Sequence, residues 1–211
     1  MNYLQVRQRA LDLLNRTDGS DTLMQTFVQM GLQRIQRELR LPHMERVLTL
    51  DTSAGPLSQF PVPADWIETI AFFSDNANGV SDEVKWINIG SFQRKKNYKY
   101  GHPVYYSRLF SNFLVADVIP QGANASLYYY GEEGALVNDT DETTLSVIAP
   151  DLIVYAALTY AADEYIDDRG QTWEQKFQFL REQLQSQASE GEDETGDGAI
   201  EPAYQFEDSV W

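Results

Sequence analysis

Carboxylates crowd one short stretch at Asp163, Glu164, Asp167 and Asp168, the densest acidic cluster ahead of the C-terminal tail. A spacing of four residues puts Asp163 and Asp167 on one face of a helix. Two chemistries follow: a hard-cation site, or acid–base hydrolysis of a cell-wall glycan with Asp163, Glu164 and Asp167 as the first residues to test. A solvated helix end is the stronger account, because hard cations usually take ligands that converge from more than one segment. His43 follows Pro42, and His102 lies between Gly101 and Pro103; neither has a histidine or carboxylate at ligand spacing, so both read as loop histidines. The chain has no cysteine, which removes disulfides, thiolate chemistry and zinc sites built from Cys and His. No Gly-x-Ser-x-Gly, His-Glu-x-x-His or P-loop pattern is present. Asp75-Asn76-Ala77-Asn78-Gly79 mimics a calcium loop, but Ala77 stands where a ligand belongs and the bidentate acid is missing, so it reads as a hairpin tip. Asp139, Asp141 and Glu142 read as a solvated turn. The expectation is no catalytic residue, no cofactor and no metal.

Binding chemistry is better represented. Arg94-Lys95-Lys96-Asn97-Tyr98-Lys99-Tyr100 is the one basic concentration, and positive charge interleaved with tyrosine suits a nucleic-acid loop. The surrounding chain is acidic, however, with a net charge of −16, which opposes nonspecific binding to phosphates. Pairing with the acidic surface of a partner or a neighbouring subunit is therefore preferred for Arg94, Lys95, Lys96, Tyr98 and Lys99. No basic residue follows Arg181, while Glu190, Glu192, Asp193, Glu194, Asp197, Glu201, Glu207 and Asp208 carry half of the charge imbalance. From Ala188 to Pro202 almost nothing apolar is available to offset the entropy of ordering, so a flexible linker is predicted. Tyr204, Phe206, Val210 and Trp211 then restore apolar character, and an acidic spacer ending in aromatic anchors reads as a docking arm.

The elements that must hold these features organise around Pro150–Tyr165. Apolar residues there surround the whole helical circumference, the mark of a helix enclosed by protein. At about 16 residues with polar flanks it is too short to cross a bilayer. Helical periodicity predicts further helices at about 3–16, 22–41 and 172–187, with the buried one at 150–166. Between them, from about 46 to 148, short alternating runs separated by Gly and Pro predict strands. The predicted fold is α+β and mainly helical: a helical bundle from both chain ends, a small inserted β-rich module and an extended C-terminal arm. Residues 1–187 form the body and 188–211 the linker and arm. The N-terminal residues lack the apolar run of a secretory signal, which points to synthesis and assembly in a cytoplasm.

The order of the segments is distinctive. An amphipathic helical hairpin is followed by a β module with a Pro-Ala-Asp-Trp step, a Gly-x-Pro strand start, Ala-Pro-Asp-Leu-Ile-Val-Tyr-Ala-Ala-Leu and a further helix. On Leu57–Trp66, Gly101–Ser107 and Ala149–Tyr165, and as a pattern over residues 1–187, the chain resembles the head-to-tail adaptor (connector) proteins of short-tailed, podovirus-type bacteriophages. The acidic tail is similar in character to the arm by which such adaptors engage the portal. The resemblance implies a structural protein of the virion, at the head-tail junction, assembled in the bacterial host cytoplasm. It implies a dodecameric ring beneath the portal protein that extends the DNA channel and carries the tail nozzle or hub protein. Genomic double-stranded DNA would pass through the lumen without specific binding, and no membrane is involved.

Overall fold

The computed structural model describes residues 1–75, 79–96 and 103–195, with side chains as far as residue 188. The chain opens with α1 (Tyr3–Leu14) and α2 (Asp21–Glu38), then a 3-10 turn at Pro42–Met44. Next come β1 (Glu45–Thr49), β2 (Leu57–Pro61), β3 (Trp66–Asp75), β4 (Ser81–Glu83) and β5 (Lys85–Trp86). They are followed by α3 (Ile89–Lys95), β6 (Tyr105–Leu109), β7 (Asn112–Ile119) and β8 (Ala125–Gly131). The chain closes with α4 (Thr144–Ile148), α5 (Pro150–Tyr165) and α6 (Gly170–Thr195).

Local chemistry sets the helix ends. At α1, Asn2 Oδ1 accepts from the Gln5 N–H at 2.9 Å and Gln5 Oε1 accepts from the Asn2 N–H at 3.1 Å, a reciprocal capping box. Pro150 occupies the first turn of α5, where its missing N–H costs nothing. Along α5, Leu152, Ile153, Val154, Ala156, Ala157, Leu158, Ala161 and Ala162 are all buried, so the helix is enclosed on most sides. Helices α1, α2 and α6 surround it. Small residues let them approach: a Cβ on Gly31 would lie 3.0 Å from the Ala157 nitrogen, and one on Gly170 would lie 2.8 Å from the Ala162 Cβ. Outside this contact Arg34 ties α2 to α6, donating to Glu174 at 2.6 and 2.8 Å while its guanidinium lies 4.1 Å over the Phe177 ring.

The middle of the chain corrects the expected architecture. It is not a small module on a mainly helical bundle: among the described residues 45% are helical and 25% form strands in two four-stranded sheets. The first sheet runs β1-β8-β3-β4 and the second β2-β7-β6-β5. Their inner faces meet through Phe72, Leu127 and Tyr129 from the first and Phe60, Tyr106, Phe113 and Val115 from the second, a core separate from that of the helices. Phe60 packs at 5.4 Å from Phe72 and 5.3 Å from Phe113, ring centre to ring centre. Short runs broken by Gly and Pro look like isolated hairpins in the sequence. The ladders that unite them, β1 with β8 and β2 with β7, join residues far apart in the chain. Ile67 and Tyr130 attach this sandwich to the helical core.

Helix α6 also continues to Thr195, past the expected end at 187, so the first part of the expected linker is helical. Among the described residues no helix is long and apolar enough to cross a membrane.

Candidate functional site

The basic stretch begins on α3. Asn88 Oδ1 caps that helix by accepting from the Ser91 N–H at 2.8 Å, and Phe92 is buried beneath it. Inner-facing Tyr106 makes its neighbours Tyr105 and Ser107 point outward, and α3 lies against β6 on that outer side. Arg94 and Lys95 fall in the last turn of α3, where positive charge suits the helix dipole. Arg94 Nη2 donates to Ser91 Oγ at 3.3 Å, and Lys95 Nζ stands 4.1 Å over the Tyr105 ring. Lys96 is the C-cap residue of α3. Tyr98 and Lys99 lie outside the described residues, as do His102 and the predicted arm residues Tyr204, Phe206, Val210 and Trp211.

The acidic cluster behaves as structure. The Asp167 carboxylate accepts from Arg169 Nε at 2.9 Å, Arg169 Nη2 at 2.6 Å and the Arg169 N–H at 3.0 Å, which holds its pKa down to about 2. Arg169 also donates to the Leu13 and Leu14 carbonyls at 3.3 and 2.7 Å and so closes the end of α1. Asp163 and Glu164 are exposed on the last turn of α5. Among the described residues no group of three or more His, Asp or Glu side chains converges to hold a metal ion.

Other polar loop residues are held by specific partners. His43 Nε2 lies 2.8 Å from Glu133 Oε1, and Glu133 also accepts from the Leu145 N–H at 3.2 Å at the start of α4. Asp141 accepts from the Asn138 and Val137 N–H groups at 2.7 and 2.9 Å, which lowers its pKa. Asp139 pairs with Arg7, whose side chain is only 2% exposed and also reaches Asp21 at 2.8 Å. Sequence spacing gave no sign of the His43–Glu133 and Arg7–Asp139 pairs, because in each the partner comes from a distant segment.

Sequence reasoning also missed two apolar surfaces. On the outer face of the first sheet, Val47 on β1 stands beside Tyr128 on β8, next to Ile70 at a bulge in β3; they are 57%, 39% and 45% exposed. Phe110 occupies the two-residue turn between β6 and β7 with φ +54 and is 87% exposed, a conformation that bulky residues adopt at a cost. Period-two alternation could have found the first surface, once Val47 and Tyr128 were recognised as outward positions.

These surfaces lie on a body with two hydrophobic cores. The model of the SU10 adaptor protein family matches residues 1–199, helical body and sandwich alike. The chain belongs to that family. No curated protein matches it. SU10 adaptors are a family of phage head-to-tail adaptors, so the resemblance carried by Leu57–Trp66, Gly101–Ser107 and Ala149–Tyr165 identified the right kind of protein. The adaptor is a structural protein of the virion, in a family that engages portal and tail proteins and is not enzymatic. Tyr204, Phe206, Val210 and Trp211 lie beyond the matched residues.

Proposed function

We propose that the adaptor forms a dodecameric ring beneath the portal vertex, extends the DNA channel and provides the platform for the tail nozzle. The family match over residues 1–199 carries this reading. The net charge of −16 is in keeping with a lumen whose acids repel DNA phosphates, so that the genome passes without specific binding. Residues 1–187 act as the body, and the segment ending at Trp211 acts as the arm that docks on the portal. Assembly takes place in the host cytoplasm, without cofactor or membrane. The basic residues Arg94, Lys95, Lys96, Tyr98 and Lys99 belong to an interface with another subunit or partner.

Electron microscopy and pull-down of the full chain and of a chain lacking residues 196–211, each with isolated portal rings, test the reading. The full chain should decorate the portal as a ring, and the deletion should weaken attachment while leaving the circular dichroism of the body intact. Within the arm, Tyr204, Phe206 and Trp211 should dominate, each truncation to alanine costing about 2 kcal/mol, roughly thirtyfold in Kd. Undiminished portal binding by the deletion would reject the arm, and failure of the full chain to form rings with or without portal would reject the ring.

A further inference from the structure

The β-sandwich has two outer sides of opposite character. On the first sheet the apolar row of Val47, Tyr128 and Ile70 has exposed carboxylates at its corners, Glu45 on β1 and Glu83 on β4. Residue parity puts Glu45, Val47, Tyr128 and Glu83 on the same face, since Glu45 pairs with Tyr130, Val47 with Tyr128, and Glu83 with Phe73, which opposes Ser126. Neither Glu45 nor Glu83 makes an ion pair among the described residues. On the second sheet α3 lies over the outer side and the edge strand β5 presents Lys85 there, paired with outward-pointing Tyr105, so that Lys85, Arg94 and Lys95 are exposed on that side. These three cations likewise have no carboxylate within ion-pairing distance among the described residues.

The two sheets pack face to face, so these sides point in opposite directions and cannot satisfy one another within one molecule. A second copy, presented in the same orientation, offers each side its complement. We propose that copies of this chain associate head to tail through their sandwiches, the basic Lys85–Arg94–Lys95 side of one against the acid-cornered Val47–Tyr128–Ile70 face of the next. Such a contact is heterologous: the two surfaces differ, and repetition closes into a ring when the rotation per copy divides a full turn. The inference rests on the ring reading above and adds to it which surfaces meet. Opposite charges steer the two surfaces together, fix their register and exclude the like-to-like pairings, in which basic would face basic.

Because the chain has no cysteine, single cysteines report the contact directly. Full-length Val47→Cys, full-length Lys95→Cys and their equal mixture are treated with a short bis-maleimide after assembly, and rings are checked by electron microscopy. Both positions are exposed, so folding is retained. The mixture should give a cross-linked dimer that neither variant gives alone, and a Val47→Cys/Lys95→Cys double variant should give a ladder of higher species. In parallel, Arg94→Glu/Lys95→Glu and Glu45→Lys/Glu83→Lys should each weaken self-association at least tenfold at low salt, and mixing the two should restore it. Rings without the mixed cross-link, or Val47→Cys cross-linking to itself, would overturn this pairing and leave the ring standing. Wild-type chains that form no rings would overturn both.

Discussion

Arg7 is the least exposed charge among the described residues, and the asymmetry of its surroundings has an energetic consequence. Its guanidinium is buried over the Tyr3 ring at 4.6 Å, while its partners Asp21 and Asp139 keep 54% and 62% of their side-chain surface. Removing the arginine releases carboxylates that water can solvate at once; removing the carboxylates leaves a cation that water cannot reach. Arg7→Met should therefore cost at most about 1 kcal/mol, and Asp21→Asn with Asp139→Asn about 3–5 kcal/mol, in chemical denaturation. Equal costs would show that the guanidinium is hydrated in the folded protein. This triad was not legible in the sequence. Arg7 falls among ordinary polar residues of an amphipathic helix, and Asp139 looks like any acid in a turn.

Elements were legible where one local rule decided them. Eight buried apolar residues spread around Pro150–Tyr165 enclose the helix on most sides, as their distribution requires. Gly31 shows where local rules fail. Within α2 alone, Gly31→Ala should add about 1 kcal/mol of helix propensity. The added Cβ would instead meet the Ala157 nitrogen at 3.0 Å and the Ala156 Cβ at 3.1 Å, and the backbone of an enclosed helix cannot give way. Overpacking of this kind costs about 1–3 kcal/mol, so a net loss of stability is expected, read as a melting temperature lower by roughly 2–4 °C. A rise would mean that α2 and α5 can move apart. The sandwich was misjudged for a related reason. Its strands were visible as alternation, but the pairing of β1 with β8 spans most of the module, and only that pairing turns separate hairpins into a sheet with its own core.

At the scale of the molecule, two cores meet at a narrow joint made by Ile67 and Tyr130. The chain leaves the helices through β1 and returns through β8, and these strands are hydrogen-bonded neighbours, with Glu45 opposite Tyr130. Paired antiparallel residues stand about 5 Å apart, so a few glycines can span the gap. Replacing residues 46–129 by a short Gly-Ser link should leave a helical protein with a cooperative thermal transition by circular dichroism, since the helical core draws on almost nothing else from the sandwich. Loss of that transition would mean that the two cores fold only together. Adjacent ends make the sandwich a cassette: a gene can exchange or enlarge it by recombination at two neighbouring points while the helical frame stays in register. Divergence among such chains would then concentrate in the middle of the gene, where a phage lineage can alter what its adaptor touches without rebuilding what holds it together.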